Sequence, residues 1–201
     1  MDDPVILLGT GATELGKAVC DDLSERLCRS IRPANARIGW FNDGHPRVEI
    51  GESVRDRCVI IIASICNAES DQRVRSPSDH LMQLLCMTDA AKRSSATSVS
   101  LVLPFLDGRQ DRRVGGDSHR APVTARVIAD CIELLGPRQI VVVEPHVPQM
   151  AGFFRSPTED LHLFDIFLEP VAAAIGTDEA VIVAPDRGGF PRASTFAQKL
   201  G

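Results

Sequence analysis

Apolar positions in this chain follow two spacings in turn. Short apolar or β-branched runs occur at Pro4 to Leu8, Val59 to Ala63, Ser98 to Leu103, Gln139 to Val143 and Ala180 to Ala184. Their length and content predict buried strands. Longer segments between them carry helical spacing. Ala12 to Leu27 sets Leu15, Ala18, Val19, Leu23 and Leu27 on one side. Ser76 is a good N-cap, with Pro77 at the first helical position and Asp79 in the first turn. Leu81, Leu84, Leu85, Cys86, Ala90 and Ala91 then cover most of that helix with apolar groups. Pro122 and Gly136-Pro137 bracket a helix with Val123, Val127, Cys131, Leu134 and Leu135 facing inward. Leu161 to Ile175 and Pro191 to Leu200 are the last predicted helices. Ala36 to Phe41 and the alternating Arg47 to Ile50 flank a turn signal, Asn42-Asp43-Gly44. Asn67 to Pro77 reads as a polar loop. Strands alternating with helices predict an α/β three-layer domain with a mostly parallel sheet. A single domain over residues 1–201 is expected, closed by a strand and helix at about 180–200.

Composition narrows the function. The net charge of −5 argues against a general nucleic-acid binder, and 44% hydrophobic content supports a real core. The longest apolar runs, such as Cys58 to Cys66, are too short to span a bilayer. The acidic opening Met1-Asp2-Asp3 with a brief apolar run does not predict a secretory signal. Six scattered cysteines without a CxxC pair predict reduced, mainly buried thiols and a cytoplasmic protein.

Candidate chemistry lies after the strands, because ligands of open α/β sheets sit at the strands' carboxyl ends. The loop after Ser98–Leu103 carries Arg109, Gln110, Asp111, Arg112 and Arg113, a set suited to phosphates. His146 and Asp186 follow two other strands. The run GTGATELG after the first strand is a partial dinucleotide fingerprint with Glu14 at the third position, where Gly or Ala is needed. The chain has no tyrosine, which excludes a short-chain-dehydrogenase catalytic tyrosine. A dinucleotide-dependent oxidoreductase is therefore the weaker alternative.

Five colinear segments carry a family resemblance. They are LMQLLCMTDAAKRSSA with the RQDR loop, Phe41-Asn42-Asp43-Gly44, Glu52-Ser53-Val54-Arg55, Glu144 to Phe154, and Pro185 to Gly189 with Arg192-Ala193. Together they resemble the amino-terminal part of ribose-phosphate diphosphokinase, also called phosphoribosyl diphosphate synthetase. The resemblance implies a phosphoribosyltransferase-like fold, self-association and Mg2+-dependent transfer of diphosphate from ATP to ribose 5-phosphate, releasing AMP.

The same resemblance implies site residues. Phe41, Asp43 and the position of His45 would contact ATP of a neighbouring subunit, and Arg109, Gln110 and Arg112 would hold its phosphates. His146 and Asp186 would be metal residues, and Ser53 and Arg55 would lie near a regulatory site. Three departures stand out. His45 replaces the family's Glu, Pro145 replaces Leu before His146, and the loop before Arg109 is one residue short. The Asn67 to Pro77 stretch is several residues longer than the family's linker and has no assigned function. Neither the acidic acceptor loop for ribose 5-phosphate nor the catalytic basic loop is found in these 201 residues, so the catalytic residues are unknown. The expected alternative is a non-catalytic nucleotide-binding subunit associating with complete family members.

Overall fold

The computed structural model describes residues 4–70, 73–106, 120–146, 148–176 and 180–201. In chain order its elements are β1 (Val5–Leu8), α1 (Thr13–Leu27), β2 (Ala36–Trp40), β3 (Pro46–Ile50), β4 (Cys58–Ile62), β5 (Ala68–Ser70), β6 (Arg73–Arg75) and α2 (Pro77–Arg93). They continue with β7 (Ser98–Leu103), α3 (Thr124–Glu133), β8 (Gln139–Val143), β9 (Thr158–Leu161), α4 (Phe164–Ile175) and α5 (Phe190–Leu200). Contacts group the chain into two compact units, Met1–Leu161 and His162–Gly201.

The first unit is built on a sheet of order β1-β4-β7-β8-β9 in which every neighbouring pair is parallel. The α/β class with a parallel sheet is as the sequence predicts. Strand alternation splits the apolar residues between two faces. Val5, Leu7, Val59, Ile61, Val99, Leu101 and Leu103 pack on Leu84, Met87 and Ala91 of α2 and on Ala125, Ala129 and Ile132 of α3. The other face sets Ile6 and Ile62 against Ala12 and Cys20 at α1. The antiparallel β2–β3 hairpin adds Ile38, Val48 and Ile50 to the first core. The start of α2 is a capping box: Asp79 N–H donates to Ser76 Oγ (3.2 Å) and Ser76 N–H donates to Asp79 Oδ2 (2.9 Å).

Several expectations are corrected. The buried face of α3 is Ala125, Ala129 and Ile132, while Val127 and Leu134 are exposed. Alanines at i and i+4 let this helix approach the sheet closely, and that decides its rotation over the larger residues on the other side. In α1 the buried residues are Gly16 and Cys20, and Leu15 and Leu27 are exposed. Of the six cysteines only Cys20 is buried; all six are free thiols. Residues 67–77 are not merely loop, since β5 and β6 pair antiparallel within them. An unpredicted edge strand, β9, precedes α4.

In the second unit α4 and α5 meet through Phe164 and Phe196 (centroids 6.1 Å apart) and through Lys199 Nζ to Asp165 Oδ1 at 2.8 Å. None of its described residues is buried. The strand predicted at 180–184 is not formed, and Val181 and Val183 are 85% and 80% exposed. A parallel strand is held by hydrogen bonds to neighbouring strands, and no described strand pairs with this segment. Among the described residues no helix is long and apolar enough to cross a membrane.

Candidate functional site

The carboxyl ends of the parallel strands are tied together by backbone bonds. Gly9 N–H donates to Ile62 O (2.9 Å), Ala63 N–H to Val102 O (3.0 Å) and Ile65 N–H to Phe105 O (2.8 Å). The loop after β1 is also bound to α2, because Gln83 Oε1 accepts from Thr10 N–H (3.0 Å) and the Thr10 hydroxyl (3.1 Å). Gly9 is required by this packing: a Cβ there would stand 2.8 Å from Ala63 Cβ. Gly9 therefore serves the close approach of neighbouring loops. Glu14 is exposed in the first turn of α1.

The β2–β3 turn gathers Phe41, Asp43 and His45. Phe41 N–H donates to His45 O (2.8 Å), Gly44 N–H to Phe41 O (3.0 Å) and His45 N–H to Asp43 Oδ1 (3.1 Å). Gly44 sits at φ 94°, a conformation natural to glycine. Phe41 is 50% exposed, so it is available for stacking rather than buried in the hairpin. Arg47 lies 5.8 Å from the Phe41 ring centroid and donates to Glu49 Oε1 (2.7 Å), which holds the Glu49 carboxyl below its usual range. Beneath the hairpin a cleft of about 600 Å3 is lined by Phe41, Val48, Leu85, Cys86, Leu134 and Leu135.

The other sequence candidates fall on separate loops. Ser53 and Arg55 are exposed in the loop between β3 and β4, either side of buried Val54. His146 is exposed just past the carboxyl end of β8. The backbone before it is constrained. Glu144 has φ 45°, its N–H donates to Leu161 O (2.9 Å), and Pro145 is buried. A non-glycine residue in the left-handed region before a proline is unusual and marks a loop held by its surroundings. Asp186, in the second unit, is exposed and accepts from Gly189 N–H through Oδ1 (2.7 Å). Arg109, Gln110 and Arg112 lie outside the described residues. No group of three or more His, Cys, Asp or Glu is gathered for a metal among the described residues.

A buried polar cluster escaped the sequence reading. Arg75, His80 and Gln83 are 8%, 2% and 1% exposed. Among the described residues, Arg75 Nε, His80 Nε2 and Gln83 Nε2 have no hydrogen-bond partner. Burial pushes the His80 imidazole below its usual range. His80, Gln83 and Met87 share the helix phase of Leu84 and Ala91, and that polar intrusion on a core face was the available signal.

Comparison with known proteins places this arrangement. A family model for the N-terminal domain of ribose phosphate pyrophosphokinase matches residues 4–136. A ribose-phosphate pyrophosphokinase of Xylella fastidiosa is 34% identical over 198 residues, covering 98% of this chain and 56% of the relative. That of Aquifex aeolicus is 36% identical over 203 residues, covering 100% and 60%. The crystal structure of phosphoribosylpyrophosphate synthetase from Mycobacterium smegmatis superimposes with a TM-score of 0.83 at 27% identity, covering 100% of this chain and 62% of that one. The chain spans somewhat over half the length of the relatives it matches.

Proposed function

This chain belongs to the ribose-phosphate pyrophosphokinase family, and from that premise we propose that it provides the nucleotide-binding part of Mg2+-dependent diphosphoryl transfer from ATP to ribose 5-phosphate. The carrying observation is the extent of the match: relatives bearing that name align with 98% of the chain. Transfer at phosphorus is mainly positioning and charge neutralisation. Phe41 would stack on the adenine, with Asp43 and His45 beside it, and Arg109, Gln110 and Arg112 would hold the phosphates. Ser53 and Arg55 belong to a separate regulatory position. Self-association, or association with complete family subunits, would bring the Phe41 turn to a neighbour's nucleotide.

Magnesium prefers oxygen donors. Exposed Asp186 offers carboxylate oxygen, which suits the ion, and exposed His146 offers a weaker imidazole donor. With no denser cluster among the described residues, the fit is to an ion that takes most of its ligands from nucleotide phosphates and water. When bound it would neutralise phosphate charge. His146 would be a ligand to one ion, and Asp186 would be associated with a second.

A second reading, a non-catalytic nucleotide-binding subunit, is favoured by His45 in place of the family's Glu and by Pro145, which fixes the backbone before His146. Equilibrium dialysis against ATP with and without Mg2+ tests what the two share, and Mg2+-dependent binding is expected. AMP release on adding ribose 5-phosphate would select the enzyme, and binding without release would select the subunit. Absence of ATP binding would sink both. With the family established, the dinucleotide reading of GTGATELG has no independent support.

A further inference from the structure

Arg75 closes β6, is 8% exposed as a residue and has its guanidinium Nε buried. Among the described residues its Nε–H has no hydrogen-bond partner and no ion pair includes it. Asp79 feels its charge, but Asp79 Oδ2 is occupied by the Ser76 N–H (2.9 Å) and hydroxyl (2.9 Å). The guanidinium instead lies over Trp40, 4.4 Å from the ring centroid. The Trp40 ring meets His80 edge to face at 5.8 Å. A Cβ on Gly44 would stand 3.8 Å from Arg75 Nη1, so the cation lies against the turn that carries Phe41, Asp43 and His45. Unpartnered His80 Nε2 and Gln83 Nε2 lie on the neighbouring helix.

Buried cations are ordinarily paired, and stacking on an indole compensates desolvation only in part. The guanidinium fork presents planar donors that match an oxyanion. The short β5–β6 hairpin brings this fork to the turn from a stretch of sequence that otherwise carries no role. We propose that Arg75 is a binding residue for a phosphate group of a small ligand at the Phe41–His45 turn, in addition to the phosphates that Arg109, Gln110 and Arg112 would hold. The choice of phosphate among oxyanions rests on the nucleotide reading above. The phosphate group is either free or borne by a nucleotide, and titration separates the two.

Trp40 is the only tryptophan in the chain, so its emission reports directly on the stacked guanidinium. The 201-residue chain is titrated with inorganic phosphate and, separately, with ATP at constant ionic strength. A saturable change is expected, with its midpoint raised about tenfold or more in Arg75→Gln and partly restored in Arg75→Lys. A response to both ligands means that the phosphate group suffices, and a response to ATP alone means that the nucleotide carries it. No saturable response, or an unchanged midpoint in Arg75→Gln, overturns the assignment. Far-UV circular dichroism checks that the variant folds. If it does not, thermal melts of the unmodified protein decide, with a phosphate-dependent rise in Tm expected and none overturning the proposal. Dialysis against ATP separates the two levels. Equal ATP binding by both proteins together with an unchanged phosphate midpoint removes Arg75 alone, whereas ATP binding by neither removes the nucleotide reading as well.

Discussion

At the head of α2 the Asp79 carboxylate accepts from the Ser76 N–H and hydroxyl, and these bonds hold its carboxyl below the usual range. A carboxyl depressed in the folded state contributes stability above its unfolded value, and that contribution is lost as pH falls through the folded one. Asp79→Asn should therefore cost about 0.5–2 kcal/mol at pH 7, and the difference from the unmodified protein should begin to shrink near pH 4 and be lost only once the pH is below the depressed folded value. Urea melts across this pH range test this. At the proposed phosphate loop, Arg109→Ala should weaken ATP binding by about 1.5–3 kcal/mol, and unchanged affinity would remove the loop from the site. Motif positions such as Phe41 and Asp43 were legible in sequence because their neighbours are local. Gln83 was not, since its partner Thr10 lies 73 residues away. The exposure of Phe41 could not be read either; an aromatic residue at a hairpin end fits a core equally well.

Among the elements, α2 is the best anchored. Met87 is fully buried between helix and sheet, and Met87→Ala should cost about 2–5 kcal/mol in chemical denaturation. Gly9→Ala should cost about 1–3 kcal/mol, because the new methyl would meet Ala63 where the loops after β1 and β4 touch. A midpoint equal to that of the unmodified protein would contradict the close approach. The parallel strands were readable as apolar runs because a strand buried on both faces needs little else. Helix rotation was less readable. In α3 the small residues Ala125 and Ala129 face the sheet and Leu134 faces solvent, so side-chain size at the contact outweighs hydrophobicity. The β5–β6 hairpin gave no signal, since its charged residues look like any solvated loop.

For the whole molecule, the two units differ in how much they bury. The first holds both apolar cores, whereas His162–Gly201 buries none of its described residues. Local stability follows buried apolar contact. On adding urea, far-UV circular dichroism should register an early loss of helix before Trp40 emission changes, since Trp40 lies in the first unit. Coincident transitions by the two probes would show one cooperative unit instead. The intact mass of the native product is a complementary measurement, because a value above 21.8 kDa would make this sequence part of a longer product. The sequence by itself determined the α/β class, four of the five parallel strands, the capped start of α2 and the family. Each of these depends on local spacing or on contiguous motifs. Only the tertiary structure decided which helix faces are buried, that 180–184 lies unpaired, and that Arg75, Trp40, His80 and the Phe41 turn form one cluster. Those outcomes depend on which distant segments meet, and burial of a charge or pairing of a strand is a property of that meeting rather than of either partner.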